Sequence, residues 1–141
     1  MFTLDPRLQQ DTIPAGELPL SRLLLMNDCS YPWLILVPRR PDIREIFQLD
    51  EADRGQLLHE STRLSQALYA ICRPDKLNIA ALGNVVAQLH LHHVARYRTD
   101  PAWPAPIWGR APAVPYAPEA AKAFILQISA HLPELSPLTS P

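Results

Sequence analysis

Residues 77–98 read LNIAALGNVVAQLHLHHVARYR, and three of the five histidines of the chain fall inside this stretch. Leu77 to Leu82 and Val85 to Val94 are rich in strand-forming residues and flank Gly83-Asn84, so the stretch is predicted to form two antiparallel strands joined by a turn. Successive strand side chains point to opposite faces. Leu89, Leu91 and His93 would line one face, marked as core by its leucines, and Gln88, His90 and His92 would line the other. Alternate residues stand roughly 7 Å apart along a strand, close enough for one small substrate to meet all three.

Upstream, two apolar runs, Leu20 to Met26 and Trp33 to Val37, are separated by the turn-prone residues Asn27, Asp28, Ser30 and Pro32, which reads as a hairpin. Both runs are almost continuously apolar, so both faces of the sheet are expected to be covered. Asp50 can cap a helix from Glu51 to Ile71, whose Leu57, Leu64, Leu68 and Ile71 recur at helical spacing, and Arg73-Pro74-Asp75 ends it. Residues 1–19, with Pro6, Pro14, Gly16 and Pro19, read as an arm contributing little core. Downstream, DPAWPAPIWGRAPAVPYAP (residues 100–118) loses a backbone donor at every proline and is expected to wrap the surface. Pro118 suits the first turn of a last helix striped by Ala121, Phe124, Ile125, Ile128 and Leu132. The expected fold class is α+β: an antiparallel sheet packed with a long helix, in one domain divided into an arm (1–19), a core (20–98), and a proline-rich wrap with a C-terminal helix (99–141).

With 141 residues, 48% of them hydrophobic, one core is affordable and two ordinary domains are not. A formal net charge of -1 offers no field to hold a nucleic acid or an anionic membrane, so an anionic ligand must be met locally. Cys29 and Cys72 lack metal-ligand spacing and are too sparse for a secreted disulfide framework. The opening MFTLDPRLQQ has neither a basic start nor an apolar run, and nowhere do eighteen apolar residues follow one another. These features point to a soluble, cytoplasmic protein.

Two chemistries can use the histidine row. An HxH pair can present two imidazole nitrogens to zinc, but it needs further ligands, and His59 and His131 sit on helices without an acidic pair beside them. Alternatively, a neutral imidazole attacks phosphorus and forms a phosphoramidate that water or another acceptor resolves. With a reference pKa of about 6.5, imidazole needs no separate base at neutral pH. His90 and His92 are read as functional, His93 as structural, and His59 and His131 as ordinary surface residues. Trp33, Trp103, Trp108 and Tyr116 are read as packing residues.

QLHLHHVAR (88–96) resembles the signature of the histidine triad (HIT) family, H-x-H-x-H-x-x with apolar residues between, and the resemblance extends over roughly residues 20 to 98. LLLMNDCSYPWLILVPRR is similar to the strand-turn-strand of that family, KLNIAALGN occupies the place of its Asn or Gln and Gly, and DPAWPAPIWG resembles a tail of a bacterial subgroup. The resemblance implies an α+β homodimer that binds a nucleoside phosphate and attacks its α-phosphorus, hydrolysing it or transferring the nucleotidyl group. It assigns the nucleophile to His90 and phosphate support to His92, places Asn27 near the ribose, and gives Asn78 a share in holding the phosphate. Arg96, just beyond the triad, is a further candidate for phosphate. No cofactor is implied for the covalent step, although a divalent metal can accompany the substrate. The first triad position is Gln88, which carries no proton charge, and Pro32-Trp33 replace a Gly-His whose histidine lies beside that position in the family. Gln88 and Trp33 are therefore expected to touch. The readings left open beside a nucleotidyl-histidine enzyme are a nucleotide-binding module without turnover and a metal-binding protein built on His90 and His92.

Overall fold

A computed structural model describes residues 1–138. Its elements are helix α1 (Pro6–Asp11), strands β1 (Thr12–Glu17), β2 (Ser21–Met26) and β3 (Trp33–Pro38), a 3-10 turn (Ile46–Gln48), helix α2 (Glu51–Cys72), strands β4 (Lys76–Ala80) and β5 (Leu91–Arg96), and helix α3 (Pro118–His131). The five strands form one antiparallel sheet in the order β1-β2-β3-β5-β4. The α+β class, the hairpin, the long helix and the final helix all stand as the sequence predicts.

Both faces of the sheet are covered, as the apolar runs require. On one side Leu23 and Leu25 of β2, Leu34 and Leu36 of β3, and Leu91 of β5 pack with Leu57, Leu64 and Leu68 of α2 and with Ala121 and Ile128 of α3. On the other, Leu24, Trp33, Ile35, Val37 and Val94 meet Leu8 of α1 and Ala102 and Ile107 of the proline-rich strap. Helix α2 starts where Asp50 accepts from the Asp53 amide at 2.8 Å and ends at Arg73 in the left-handed region, φ 45°.

Two expectations are corrected. Residues 1–19 are not a loose arm, because Thr12–Glu17 is an edge strand and Leu8 and Leu18 are buried. Pro14 and Gly16 obscure this strand in the sequence, yet both suit a sheet edge interrupted by a bulge, and the register shifts between them. Gly16 has φ +144°, and a Cβ there would come within 2.6 Å of the Ser136 carbonyl oxygen. The second strand of the signature stretch begins at Leu91, not Val85. Ala80 pairs with His92 across β4 and β5, whereas a turn at Gly83-Asn84 would have paired it with Ala87. Residues 81–90 therefore form a loop, held by Val86 in the core and by the Leu89 amide on the Ile43 carbonyl at 2.9 Å.

One buried charge ties the layers together. Glu60 of α2, 1% exposed, accepts from the amides of Leu20 at 2.7 Å and Ser21 at 3.0 Å and from Gln56 Nε2 at 2.8 Å. Glu60→Ala would strand two buried N–H groups and is expected to cost about 3 kcal/mol. Urea unfolding checks this: the midpoint should fall with the slope unchanged, and an unaltered midpoint would refute it.

Candidate functional site

With β5 starting at Leu91, His90 lies just before the strand and His92 within it, and the two come together. Their ring centroids are 4.8 Å apart at an interplanar angle of 69°. Both rings lie deep, His90 at 7% and His92 at 5% exposure. Neither Nε2 is sealed off, since among the described residues the enclosed side-chain polar atoms without a partner are Ser21 Oγ, Ser65 Oγ and Trp108 Nε1.

Hydrogen bonding gives the two imidazoles opposite tautomers. Nδ1 of His90 lies 2.7 Å from the Gln88 carbonyl oxygen. A carbonyl only accepts, so this nitrogen carries the hydrogen and Nε2 keeps a free lone pair. Trp33 Nε1 donates to Nδ1 of His92 at 2.9 Å. An indole nitrogen only donates, so Nδ1 of His92 bears the lone pair and its Nε2 carries the hydrogen. The site thus holds one unpartnered lone pair beside one unpartnered N–H. Trp108 closes the far side of His92, with centroids 5.2 Å apart, and packs edge-on to Trp33.

Burial, then the neighbouring His90 and His93, push the His92 pKa down to about 3. It stays neutral over the working range and acts as a hydrogen-bond donor. A 15N titration should therefore find the His92 ring neutral at every pH from 5 to 9, and protonation near pH 6 would contradict the burial argument. His93 lies on the leucine face as expected, where its Nε2 meets Ser61 Oγ at 2.7 Å and burial lowers its pKa to about 4.

The other candidates are placed differently. Gln88 turns out of the row toward the start of the chain, donating to the Thr3 carbonyl and accepting from the Asp5 amide, both at 2.9 Å. The polar ends of Trp33 and Gln88 thus serve different partners, since Trp33 Nε1 bonds to His92. Arg96, 1% exposed, has its guanidinium occupied by Asp100 at 2.7 and 3.1 Å, Asn78 Oδ1 at 2.8 Å and the Ala105 carbonyl at 2.9 Å. It anchors the strap and is not presented to a phosphate. Asn78 shares that network. Asn27 accepts from the Tyr116 amide at 2.8 Å and lines a cavity of about 480 Å³ with Arg7, Asp28, Tyr31, Trp33 and Trp108. Two tryptophans are thus shared between cavity and histidine pair. The bond from Trp33 to His92 is not legible in the sequence, because it follows from the pairing of β3 with β5, which local pattern does not fix.

Among the described residues no group of three His, Cys, Asp or Glu side chains is placed to hold a metal. His90 and His92 thus lack a third ligand of these types.

The HIT domain model matches residues 7–99. The chain belongs to the HIT family. Among solved HIT structures it resembles a histidine triad protein from Marinobacter aquaeolei VT8, with 48% identity over 96% of this chain and 99% of that one and a TM-score of 0.93. A histidine triad protein from Bradyrhizobium japonicum is 48% identical over 93% and 98% of the two chains, TM-score 0.91, and one from Sinorhizobium meliloti 1021 is 45% identical over 94% and 98%, TM-score 0.92. A comparison with curated proteins finds no match. HIT membership carries nucleotide binding and hydrolase or transferase chemistry as general family properties. No helix among the described residues is long and apolar enough to cross a membrane.

Proposed function

We propose that this HIT protein hydrolyses or transfers the nucleotidyl group of a nucleoside phosphate derivative through a nucleotidyl-His90 intermediate. The observation that carries the reading is the pair of opposite tautomers, a free Nε2 lone pair on His90 next to an Nε2–H on His92. In the first step Nε2 of His90 bonds to the α-phosphorus, and the bond from phosphorus to the leaving oxygen or nitrogen breaks with its electron pair going to that leaving atom. Gln88 has no proton to give, so the leaving atom takes one from water. His92 Nε2–H donates to a non-bridging phosphate oxygen as charge builds there. Nδ1–H of His90 stays on the Gln88 carbonyl and stabilises the phosphorylated ring. Water or another hydroxyl acceptor then attacks phosphorus, the P–N bond breaks with its electron pair returning to Nε2 of the now neutral imidazole, and the acceptor's proton passes to solvent. The cavity bordered by Asn27, of a size suited to small ligands, takes the nucleoside.

The test is intact mass spectrometry after brief incubation with adenosine and guanosine phosphate derivatives. A nucleotide-sized gain on His90 is expected. Binding of a nucleotide with no acid-labile adduct on any derivative would favour the binding-module reading.

The active form is proposed to be a homodimer. Strand β4 is an open edge, and Ile79 on it, with Leu58 and Tyr69 on α2, is half or more exposed, around an apolar hollow that also includes Leu77 and Ala70. A two-fold copy would cover edge and hollow together. Light scattering should give twice the chain mass. A mass near 15.8 kDa at micromolar concentration would refute the assembly.

A further inference from the structure

Gln88 stands in the first triad position, yet its side chain serves another part of the molecule. Its Nε2 donates to the Thr3 carbonyl and its Oε1 accepts from the Asp5 amide, each at 2.9 Å. Its own carbonyl accepts from Nδ1 of His90 at 2.7 Å. A carboxamide offers a donor and an acceptor from one end, which fits a backbone C=O and N–H two residues apart. A neutral imidazole carries its two nitrogens on different edges of the ring and cannot serve both from one side.

The peptide so clasped is the one that fixes the tautomer of His90. It lies in the loop 81–90, where Ala81, Leu82, Asn84, Val85 and Ala87 are exposed; its N–H side is held by the Leu89 amide on the Ile43 carbonyl at 2.9 Å, and the Gln88 clasp ties the residue that carries its C=O side. The segment from Met1 to Asp5 is in turn docked by Phe2 and Leu4 against the apolar cluster that contains Trp33, with the Arg22 guanidinium 5.5 Å over the Phe2 ring. We propose that this segment is a positioning element of the site: through the Gln88 clasp it holds the carbonyl that keeps the His90 lone pair on Nε2. Glutamine at this position gives up a proton relay and gains a docking contact. The proposal rests on His90 being the nucleophile.

Asp5 has φ -55°, a value proline adopts without strain, so Asp5→Pro deletes the donating N–H with little change to the backbone there. Asp5→Ala is the matched control, since it shares the loss of the side chain that accepts from the Arg7 amide but keeps the N–H. Gln88→Ala removes the clasp from the other end, and Gln88→Glu sets an oxygen against the Thr3 carbonyl. Two readouts are taken on the full chain: the single-turnover rate of adduct formation with adenosine 5′-phosphoramidate, and the 15N signature of the His90 ring. Asp5→Pro and Gln88→Ala are expected to slow labelling at least tenfold, with nucleotide affinity held within about twofold and the single Nδ1–H tautomer lost. Asp5→Pro should be at least fivefold slower than Asp5→Ala, and the Asp5→Pro/Gln88→Ala double variant no slower than the slower single, as residues in one linkage behave. An unchanged tautomer and rate in both variants would overturn the proposal. So would faster labelling, which would make the segment a cover. If the unaltered protein forms no adduct, the nucleophile reading fails, and the His90 tautomer in the same variants still decides whether the clasp positions the ring.

Discussion

His90→Ala is expected to lower turnover by on the order of 10⁴-fold or more, because a covalent route has no substitute for its nucleophile. His92 cannot take over: Trp33 holds its lone pair on Nδ1, pointed at the indole, and leaves only an N–H toward the site. The ring of His90 is 7% exposed, so the truncation also opens a small void, and a loss of about 1–2 kcal/mol in stability is expected alongside. That is too little to unfold an ordinary domain. Steady-state rates on the best substrate found, with circular dichroism to show the fold retained, check the prediction. A variant keeping even a tenth of the activity would exclude the nucleotidyl-His90 route.

Much of this arrangement is legible in the sequence because it depends on local pattern. Leu57, Leu64 and Leu68 at helical spacing behind Asp50 define α2, and two apolar runs around Asn27 to Pro32 define the β2–β3 hairpin, each without reference to a partner. His90 and His92 flank Leu91, and that alternation alone puts both on the side away from the leucine core. Strand β1 is hidden for the opposite reason. Pro14 and Gly16 are poor strand residues in isolation, and what makes them acceptable is an edge position and the close approach of Ser136.

The polar partners were the least legible part. An amide, an indole and a guanidinium each have several possible partners, and the choice is made by segments far away in sequence. Gln88 reads as a weakened triad member until Thr3 and Asp5 are beside it. Trp33 reads as packing, and does pack, but its N–H also settles the His92 tautomer. Arg96 follows a histidine row and so reads as a phosphate ligand, whereas Asp100, only four residues on, captures it.

Arg96→Ala is expected to destabilise the protein by about 3–5 kcal/mol, the range for removing one partner of a buried ion pair. Asp100, with a side chain 4% exposed, would be left buried without its cation, and the Asn78 and Ala105 oxygens would lose their donors. The strap from Pro101 onward would lose its anchor, and with it the wall that Trp108 builds against His92. Acidity separates this role from a phosphate contact. The Arg96 guanidinium, with the amides of Tyr97, Trp103 and Ala102, holds the Asp100 carboxyl down to about 2 from an ordinary 3.8. A carboxyl with a depressed pKa in the folded state contributes stability above the unfolded value and loses it as the pH falls through the folded one. The unaltered protein should thus lose this contribution between about pH 4 and pH 2. A steeper loss should precede it, starting below about 6.5, where His92 and His93 both charge only in the unfolded chain and two protons are taken up against one for Asp100. In Arg96→Ala the histidine limb should persist while the Asp100 limb shrinks, since the cation that created it is gone. Replacing both partners by apolar residues, as in Arg96→Met with Asp100→Leu, should restore part of the loss, because no buried charge then remains unpaired. Urea unfolding from pH 7 to pH 2 on the three proteins measures all of this. Should Arg96→Ala keep its stability at pH 7 and lose only nucleotide affinity, Arg96 would be a phosphate ligand and the anchoring role assigned to it would be wrong.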